Sequence, residues 1–262
     1  MHLSISNIAW DTKWNHKMYK WIQEKGFSGL EIAPTKLFSK YPYRQLEMAY
    51  SWKQEVSQNY GLKISSIQSI WYGREENIFR SEEERKCLLQ YTKEAILFAE
   101  CLECQNLVFG CPKNRNRIEG VSIKQVMPFF YEIGEYAYQH HTKIGMEANP
   151  IIYHTNYINT TKEAIDFIKE VGSKGFRLNL DLGTIIENEE DLFEIENNLE
   201  FIHHVHISEP YLKKIVKRKI HLELAELLRK VNYQGYISIE MEQQNELEEI
   251  LSVMDYIKEV FG

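Results

Sequence analysis

Short apolar runs alternate along this chain with longer stretches in which apolar residues recur every three or four positions. The short runs predict β-strands, and the longer stretches predict amphipathic α-helices. The eight strand-like runs lie at residues 3–9, 29–33, 63–68, 106–110, 143–148, 176–182, 201–208 and 235–241. Helical periodicity is clearest in residues 83–102 and 122–141. Eight consecutive strand-helix units predict an α/β fold, specifically a closed (β/α)8 TIM barrel rather than an open sheet.

Loops of two kinds separate these elements. Several predicted helices are followed by residues that favour a left-handed helix end and a short connection, at Gly26, Gly61, Gly172, Gly175, Asn232 and Gly235. The long irregular segments instead follow strands, at residues 33–45, 70–80, 149–159 and 209–219. In a barrel these segments share the face where the strands end, which is where barrel enzymes bind substrates. We therefore expect any active site on that face.

Length and composition suit one barrel. At 262 residues with 44% hydrophobic content, the chain can form one large core, and no linker divides it, so we expect residues 1–262 to be a single domain. A net charge of −7 argues against a nucleic-acid partner. The N-terminus lacks signal-peptide features and no segment approaches about 20 apolar residues, which favours a cytoplasmic protein with no membrane partner.

The four cysteines do not form a disulfide framework in a chain of this length. Cys101 and Cys104 make a CxxC pair, but no second pair and no nearby histidine completes a zinc site. Buried thiols are therefore the favoured interpretation.

Four of the predicted strands end in side chains that bind metals: Glu147, Asp181, His206 and Glu240. The spacings of 34, 25 and 34 residues match one strand-helix unit each, so the four groups are expected at one height around the barrel. Three carboxylates and an imidazole brought together there would repel one another unless a cation held them. The pattern predicts one divalent metal. The alternative is that the acids are ordinary strand ends and that His206 is a barrel histidine like His203 and His204.

The donor set also limits which metal is expected. Carboxylate oxygens with one imidazole and no thiolate suit Mn²⁺, Mg²⁺ or Co²⁺ better than a structural zinc, although Zn²⁺ is chemically compatible. Mn²⁺ is the preferred choice.

The segments GFSGLEIAP, IGMEANP, LNLDLGT, HVHISEP and GYISIEM resemble the xylose-isomerase-like TIM-barrel superfamily, which includes sugar isomerases, epimerases and endonuclease IV. The resemblance covers nearly the whole chain. In the ketose 3-epimerase branch the four matching residues bind one divalent metal. The resemblance further implies that Glu147 and Glu240 are the acid/base pair, with the metal stabilising an enediolate as a Lewis acid. The alternative is that both are only ligands.

Two departures from the family pattern matter. The family commonly has a histidine three residues after the strand-six aspartate, but this chain has Thr184, whose hydroxyl is expected to hydrogen-bond the substrate yet cannot act as a base near neutral pH. The endonuclease branch needs additional histidines, and Gln68, Phe109 and Thr184 stand at the comparable positions. Together with the acidic charge, this argues against endonuclease IV-like DNA repair.

Further candidates for substrate binding lie on the same face. Glu31 and Gln68 end strands two and three, and Trp71 and Tyr72 follow on a loop that could cover a sugar ring. Aromatic loop residues are equally good as local packing anchors. His154 and Glu209 are polar groups on the loops after strands five and seven, and solvent exposure is the simpler explanation of His154.

A basic run follows the metal-binding histidine and includes Lys213 and Lys214. Many barrels bind phosphate near strands seven and eight, so these lysines could bind a phosphorylated or otherwise anionic sugar. The alternative is a solvated run leading into the next helix.

Three functions are therefore consistent with the sequence. The first is a metal-dependent isomerase or epimerase acting on a small-molecule sugar. The second is a lyase resembling inosose dehydratase, in which a hydroxyl leaves instead of a proton returning. The third is a sugar-binding barrel without catalysis, which the presence of Thr184 would suit.

Overall fold

The computed structural model describes all 262 residues, and its eight parallel strands form a closed barrel in chain order. The barrel closes where the first strand pairs with the last, with Ile5 opposite Ile239. This architecture confirms the predicted TIM barrel. The strands are β1 (His2–Ser6), β2 (Gly29–Ile32), β3 (Lys63–Ile67), β4 (Leu107–Phe109), β5 (Ile144–Met146), β6 (Phe176–Asp181), β7 (Ile202–Ile207) and β8 (Tyr236–Ile239).

Helices surround the barrel, and they are α1 (Asn15–Glu24), α2 (Leu46–Tyr60), α3 (Glu82–Cys101), α4 (Met127–Gln139), α5 (Thr161–Val171), α6 (Leu182–Glu187), α7 (Phe193–Glu196), α8 (Lys219–Lys230) and α9 (Leu247–Phe261). Helix α4 begins later than the sequence predicted, because a separate 3₁₀ turn at Ile123–Gln125 precedes it and Pro128 lies in its first turn. The connection from β6 to β7 contains two short helices instead of one long one. None of the helices combines the length and the apolar character that crossing a bilayer requires.

Local sequence signals explain the helix ends. The Ser81 hydroxyl accepts a hydrogen bond from the backbone N–H of Glu84 at 3.1 Å, and three glutamates in the first turn of α3 favour the positive end of its dipole. Thr160 and Glu163 form a capping box at the start of α5. Gly61 and Gly172 end α2 and α5 in the left-handed conformation, as predicted.

Gly175 has a different role from the predicted helix end. A Cβ atom at Gly175 would lie 2.0 Å from the carbonyl oxygen of Gly134, in the middle of α4. Helix α4 therefore packs its backbone directly against the chain that enters β6, and only glycine permits this approach.

The core contains 69 buried hydrophobic residues in one cluster, mostly between the strands and the helices. The four cysteines are free; Cys104 is buried, as the thiol interpretation predicted, but Cys101 and Cys111 are only half-buried and Cys87 is exposed. The space inside the barrel is more polar than this shell. The fully or almost fully buried polar residues there include Ser4, Glu31, Ser66, Asn106, Asn179, His204, His206 and Ser238. Because buried polar groups require partners, this interior is organised by hydrogen bonds instead of by apolar packing alone.

The buried residue His221 on α8 makes the stability of the fold depend on pH. Its ring is fully buried, Nδ1 lies 2.8 Å from the Tyr256 hydroxyl oxygen, and burial lowers its pKa to about 4. The unfolded chain therefore binds a proton more readily than the folded one as the pH falls below about 6.5, so stability is full above that pH and declines towards pH 4. This group alone should cost about 3 kcal/mol of unfolding free energy across that window.

We expect His221→Gln to reduce the loss of stability between pH 7 and pH 4.5, even if the variant is less stable at pH 7. Urea unfolding at both pH values measures this difference. His2→Gln, at an exposed position, is the matched control and should retain the wild-type pH dependence. An equally steep loss in both variants would contradict the prediction.

Candidate metal centre

The structure brings Glu147, Asp181, His206 and Glu240 together at the mouth of the barrel, the end at which the strands terminate. One ligand atom from each of the four lies within 4.8 Å of the others. Strand register explains the arrangement, because Asp181 on β6 stands directly opposite His206 on β7. Glu147 and Glu240 immediately follow β5 and β8.

His206 is held at both ring nitrogens. Its Nδ1 lies 3.0 Å from Glu147 Oε1 and 3.1 Å from Glu240 Oε2, whereas Nε2 lies 2.8 Å from Glu31 Oε2. The Glu31 carboxylate accepts a hydrogen bond from Nε2, so that whenever the ring is neutral the lone pair of Nδ1 is directed at Glu147 and Glu240. A carboxylate behind a histidine is the usual support of a metal-binding imidazole.

The electrostatics of the site are governed by burial. Burial raises the pKa of Glu147, Asp181 and Glu240, and in Glu147 and Glu240 the opposing effect of His206 does not cancel it. Burial also acts against ionisation of Glu31, but the charge of His206, the hydrogen bond from His206 and the nearby ring of His204 outweigh it and lower the pKa. For His206 itself, burial favours the neutral ring, yet the surrounding carboxylates raise its pKa well above the usual value.

These residues fit a divalent cation. The only cationic side chain within ion-pairing distance of the Glu147 and Glu240 carboxylates is His206. The buried carboxylates of Glu147 and Glu240 and the half-buried carboxylate of Asp181 thus face a single imidazole, and their excess negative charge is compatible with a dipositive ion. Glu147, Asp181, Glu240 and Nδ1 of His206 would hold it, and such a mixture of oxygen and nitrogen donors suits Mn²⁺ and similar ions.

Asp181 is fixed by neighbours on two sides. One of its oxygens accepts hydrogen bonds from the backbone N–H and the hydroxyl of Thr184, at 2.7 and 2.8 Å. The other accepts a hydrogen bond from Ser208. The Thr184 hydroxyl also lies 2.9 Å from the carbonyl oxygen of Ala148. Thr184 is therefore turned towards the ligand and the backbone, which corrects the expectation that it contacts substrate.

Glu147 is positioned by amides that the sequence analysis did not identify. Asn179 Nδ2 donates to Glu147 Oε1 at 2.7 Å, and Asn149 Nδ2 donates to Oε2 at 3.3 Å. Arg115, fully buried, in turn donates to Asn149 Oδ1 at 2.7 Å. Asn149 lies two residues after Glu147, and this spacing was the one feature of the sequence that could have indicated a contact with Glu147. Asn179 and Arg115 come close to Glu147 and Asn149 only because the barrel closes.

A cavity of 190 Å³ lies above the ligands, and its twelve lining residues include neither lysine nor arginine. Gln68 is one of them, in agreement with its predicted location, and its amide donates to Ser6. Tyr153, which the sequence analysis did not select, also lines this cavity. Its hydroxyl oxygen accepts a hydrogen bond from the backbone N–H of Tyr211 at 2.9 Å, so the O–H remains able to donate to a ligand.

Two predicted substrate residues are buried away from the cavity. Glu31 lies inside the barrel with no exposed surface, where it contacts His204 and His206 and so supports the candidate ligand His206. Trp71 is 2% exposed, packs edge-to-face on Phe109 and donates its indole N–H to Thr92. Neither side chain has surface left for a sugar, so both expectations are corrected. Tyr72, by contrast, is exposed.

The remaining candidates lie outside the cavity. His154 is exposed on its loop. Glu209 is buried in a two-pronged ion pair with Arg218 and accepts from the backbone N–H of Val216, so it fixes the loop after β7. Lys214 pairs with Glu249 on α9 at 2.6 Å. Lys213 is exposed and lies over the ring of Tyr211. These contacts favour structural or surface roles and correct the expected substrate contacts.

Several solved structures share this architecture. D-Psicose 3-epimerase from Clostridium cellulolyticum H10, solved with D-tagatose, has a TM-score of 0.81 and 17% identity, with 100% of this chain and 99% of that chain covered. An E. coli 3-keto-D-glucoside 4-epimerase has a TM-score of 0.77 and 20% identity, with 99% of each chain covered. A Brucella melitensis structure described as AP endonuclease, family 2, has a TM-score of 0.75 and 18% identity, covering 97% of this chain and 98% of that chain.

At these identities the structural matches establish a shared fold. None of the curated proteins compared with this sequence matches it. The sequence model of one family, described as xylose isomerase-like TIM barrel, matches residues 19–260, almost the entire barrel. The resemblance seen in the strand-end segments is thereby confirmed, and the chain belongs to the xylose isomerase-like TIM barrel family.

Proposed function

We propose that this protein is a divalent-metal-dependent isomerase or epimerase that acts on a sugar. The observation that carries the proposal is the convergence of Glu147, Asp181, Glu240 and Nδ1 of His206 beneath a cavity at the barrel mouth. The structural relatives described as sugar 3-epimerases and as a keto-glucoside 4-epimerase support the same reaction class. Mn²⁺ is our first choice of metal.

Glu147 and Glu240 are the proposed acid/base pair. Both carboxylates border the cavity, so both can reach a carbon-bound proton of a sugar held there. One would remove the proton and the other would return a proton to the opposite face of the same carbon. When bound, the metal would supply a Lewis acid that stabilises negative charge on the substrate oxygens. Asn179 and Asn149 keep the Glu147 oxygens in place through these steps.

Tyr153 compensates in part for the family histidine that Thr184 replaces. Its O–H can donate to a substrate oxygen at the cavity wall, while its own oxygen accepts from the backbone of Tyr211. Its pKa is raised by burial and by the carboxylates of Asp181, Glu240 and Glu147. Tyr153 therefore stays protonated and acts as a hydrogen-bond donor instead of a base.

A neutral sugar suits this cavity better than a phosphorylated one. The cavity wall contains three carboxylates and no lysine or arginine, so an anionic group beside the metal ligands would be repelled. The lysines that suggested an anionic substrate are directed elsewhere, with Lys214 paired to Glu249.

Exchange with solvent tests the proposal. The metal-free protein, loaded with Mn²⁺ or kept in chelator, is incubated in D₂O with D-fructose, D-psicose, D-tagatose or L-ribulose, and loss of the C3 proton is followed by NMR. We expect metal-dependent exchange and formation of the epimer. Exchange accompanied by loss of water would assign a lyase instead, and binding without exchange would assign a non-catalytic barrel. Cleavage of abasic DNA would contradict the proposal.

A further inference from the structure

A second cavity lies beside the one above the metal ligands. It has a volume of 640 Å³ and lies between the loops that follow β1, β2 and β3. Ser69 lines both cavities and has a left-handed backbone, with φ of 54°. We call this cavity the outer groove; its walls include Lys36, Tyr41, Tyr72, Arg74 and Tyr91. A ligand held by the metal ligands could extend past Ser69 into it.

The walls of the outer groove display two largely exposed tyrosine rings, and only the ring of Tyr41 has a cation over it, the Arg44 guanidinium at 5.8 Å from the ring centroid. Tyr41 is 72% exposed and Tyr72 is 69% exposed, although both border a concave surface. Burying a tyrosine ring is favourable, so two exposed rings on one groove are available to a ligand. Flat aromatic faces pack well against the C–H faces of a sugar or of another ring.

The charged groups of the groove are less available than its rings. Arg74 pairs with Glu76 and lies over the ring of Tyr91, which neutralises and fixes the guanidinium. Lys36 donates to the carbonyl oxygen of Trp10 at 2.6 Å and has no carboxylate within ion-pairing distance. A single lysine beside tyrosines provides donors for hydroxyl groups, whereas an anion site would call for several free cations.

The sizes of the two cavities point to a ligand of two units. The cavity above the metal ligands, at 190 Å³, is smaller than the sites of about 300–1,000 Å³ that enclose larger ligands. The outer groove, at 640 Å³, falls within that range. One sugar would occupy the first cavity and leave the second for a group attached to it.

The structure assigns the outer groove as a second subsite, which binds a ring joined by a glycosidic bond to the reacting sugar. The preferred substrate class is therefore a glycoside, and the free monosaccharide is a poorer substrate. This inference rests on the proposed sugar chemistry at the metal centre. It makes Tyr41 and Tyr72 residues that determine specificity without taking part in proton transfer.

Matched sugars test the inference. D-Fructose is compared with two disaccharides that contain it, isomaltulose and lactulose, using calorimetric binding to the Mn²⁺-loaded protein and C3 proton exchange in D₂O. At least one disaccharide should bind about tenfold more tightly than D-fructose, in line with stacking of one added ring. Equal or weaker binding of both disaccharides would overturn the inference. D-Fructose 6-phosphate is the third probe, and if it binds best with its advantage lost in Lys36→Ala, the groove is an anion site instead.

Variants test whether the tighter binding of the disaccharides arises in the outer groove. Tyr72→Ala and Tyr41→Ala should each lower the disaccharide advantage about three- to tenfold and leave D-fructose binding unchanged. Ser39→Trp, which fills the groove from an exposed position on its wall, should abolish the advantage. Tyr138→Ala, at an exposed tyrosine on α4, is the control and should change nothing. An advantage that survives all three groove variants would also overturn the inference.

The two proposals fail in different ways. If D-fructose exchanges its proton but the disaccharides have no advantage, the metal-centre function stands and the groove inference is wrong. If no sugar exchanges, yet a disaccharide binds more tightly and Tyr72→Ala removes the difference, the second subsite stands and the catalytic proposal is wrong.

Discussion

Glu240→Gln should abolish sugar proton exchange while the protein still binds metal. The amide retains an oxygen that can act as a ligand, but it cannot accept a proton. Removing one member of an acid/base pair typically costs about 10²- to 10⁴-fold in rate, and we expect a loss in this range. C3 exchange in D₂O measures the rate, and calorimetric titration with Mn²⁺ measures the remaining affinity.

Glu242→Gln is the matched control, because Glu242 is exposed two residues further along the same loop. It should retain wild-type exchange. Glu147→Gln should behave as Glu240→Gln does if the two carboxylates serve opposite faces of the substrate. Wild-type exchange in Glu240→Gln at saturating Mn²⁺ would show that Glu240 is only a metal ligand and not an acid or base.

Glu31→Gln should lower the affinity for Mn²⁺ by about 10- to 100-fold, the usual effect of losing a carboxylate behind a metal-binding histidine. Glu31 never faces the cavity, yet its Oε2 lies 2.8 Å from His206 Nε2. The neutral amide can still accept this hydrogen bond, but it no longer stabilises positive charge on the ring. Nδ1 then becomes a weaker donor to the cation.

Recovery of the exchange rate at high Mn²⁺ concentration distinguishes this positioning role of Glu31 from damage to the fold. Raising the Mn²⁺ concentration should restore most of the exchange rate in Glu31→Gln, whereas it should not restore Glu240→Gln. Glu47→Gln, at an exposed carboxylate on α2, should leave the affinity unchanged. Wild-type affinity in Glu31→Gln would show that the contact with His206 has no part in metal binding.

The barrel and the convergence of four residues at its strand ends were predictable because both depend on regular spacing. Once Asp181 and His206 end neighbouring parallel strands, register alone places them opposite each other. Gln68 reaches the predicted cavity for the same reason, since it directly follows β3. The direction of a side chain at a strand end was not predictable, and Glu31 turns into the barrel because two histidines on β7 meet it there.

Loop side chains were harder to predict, because their partners lie far away in sequence. Lys214 is drawn to Glu249, 35 residues further along, and Trp71 is anchored by Thr92 on α3. Tyr153 points into the cavity because its hydroxyl meets the backbone of a different loop, at Tyr211. None of these pairings follows from periodicity, so substrate contacts were the least accurate part of the sequence interpretation.

The close approach of α4 to the chain before β6 links the outer surface of the barrel to its mouth. A side chain at Gly175 would meet the backbone of Gly134 and force the beginning of β6 away from the helix. Asp181 is the last residue of that same six-residue strand, so the displacement would be transmitted along a stiff element to one of the proposed metal ligands. A substitution at Gly175 is thus expected to disturb the site at the barrel mouth, which this glycine does not contact.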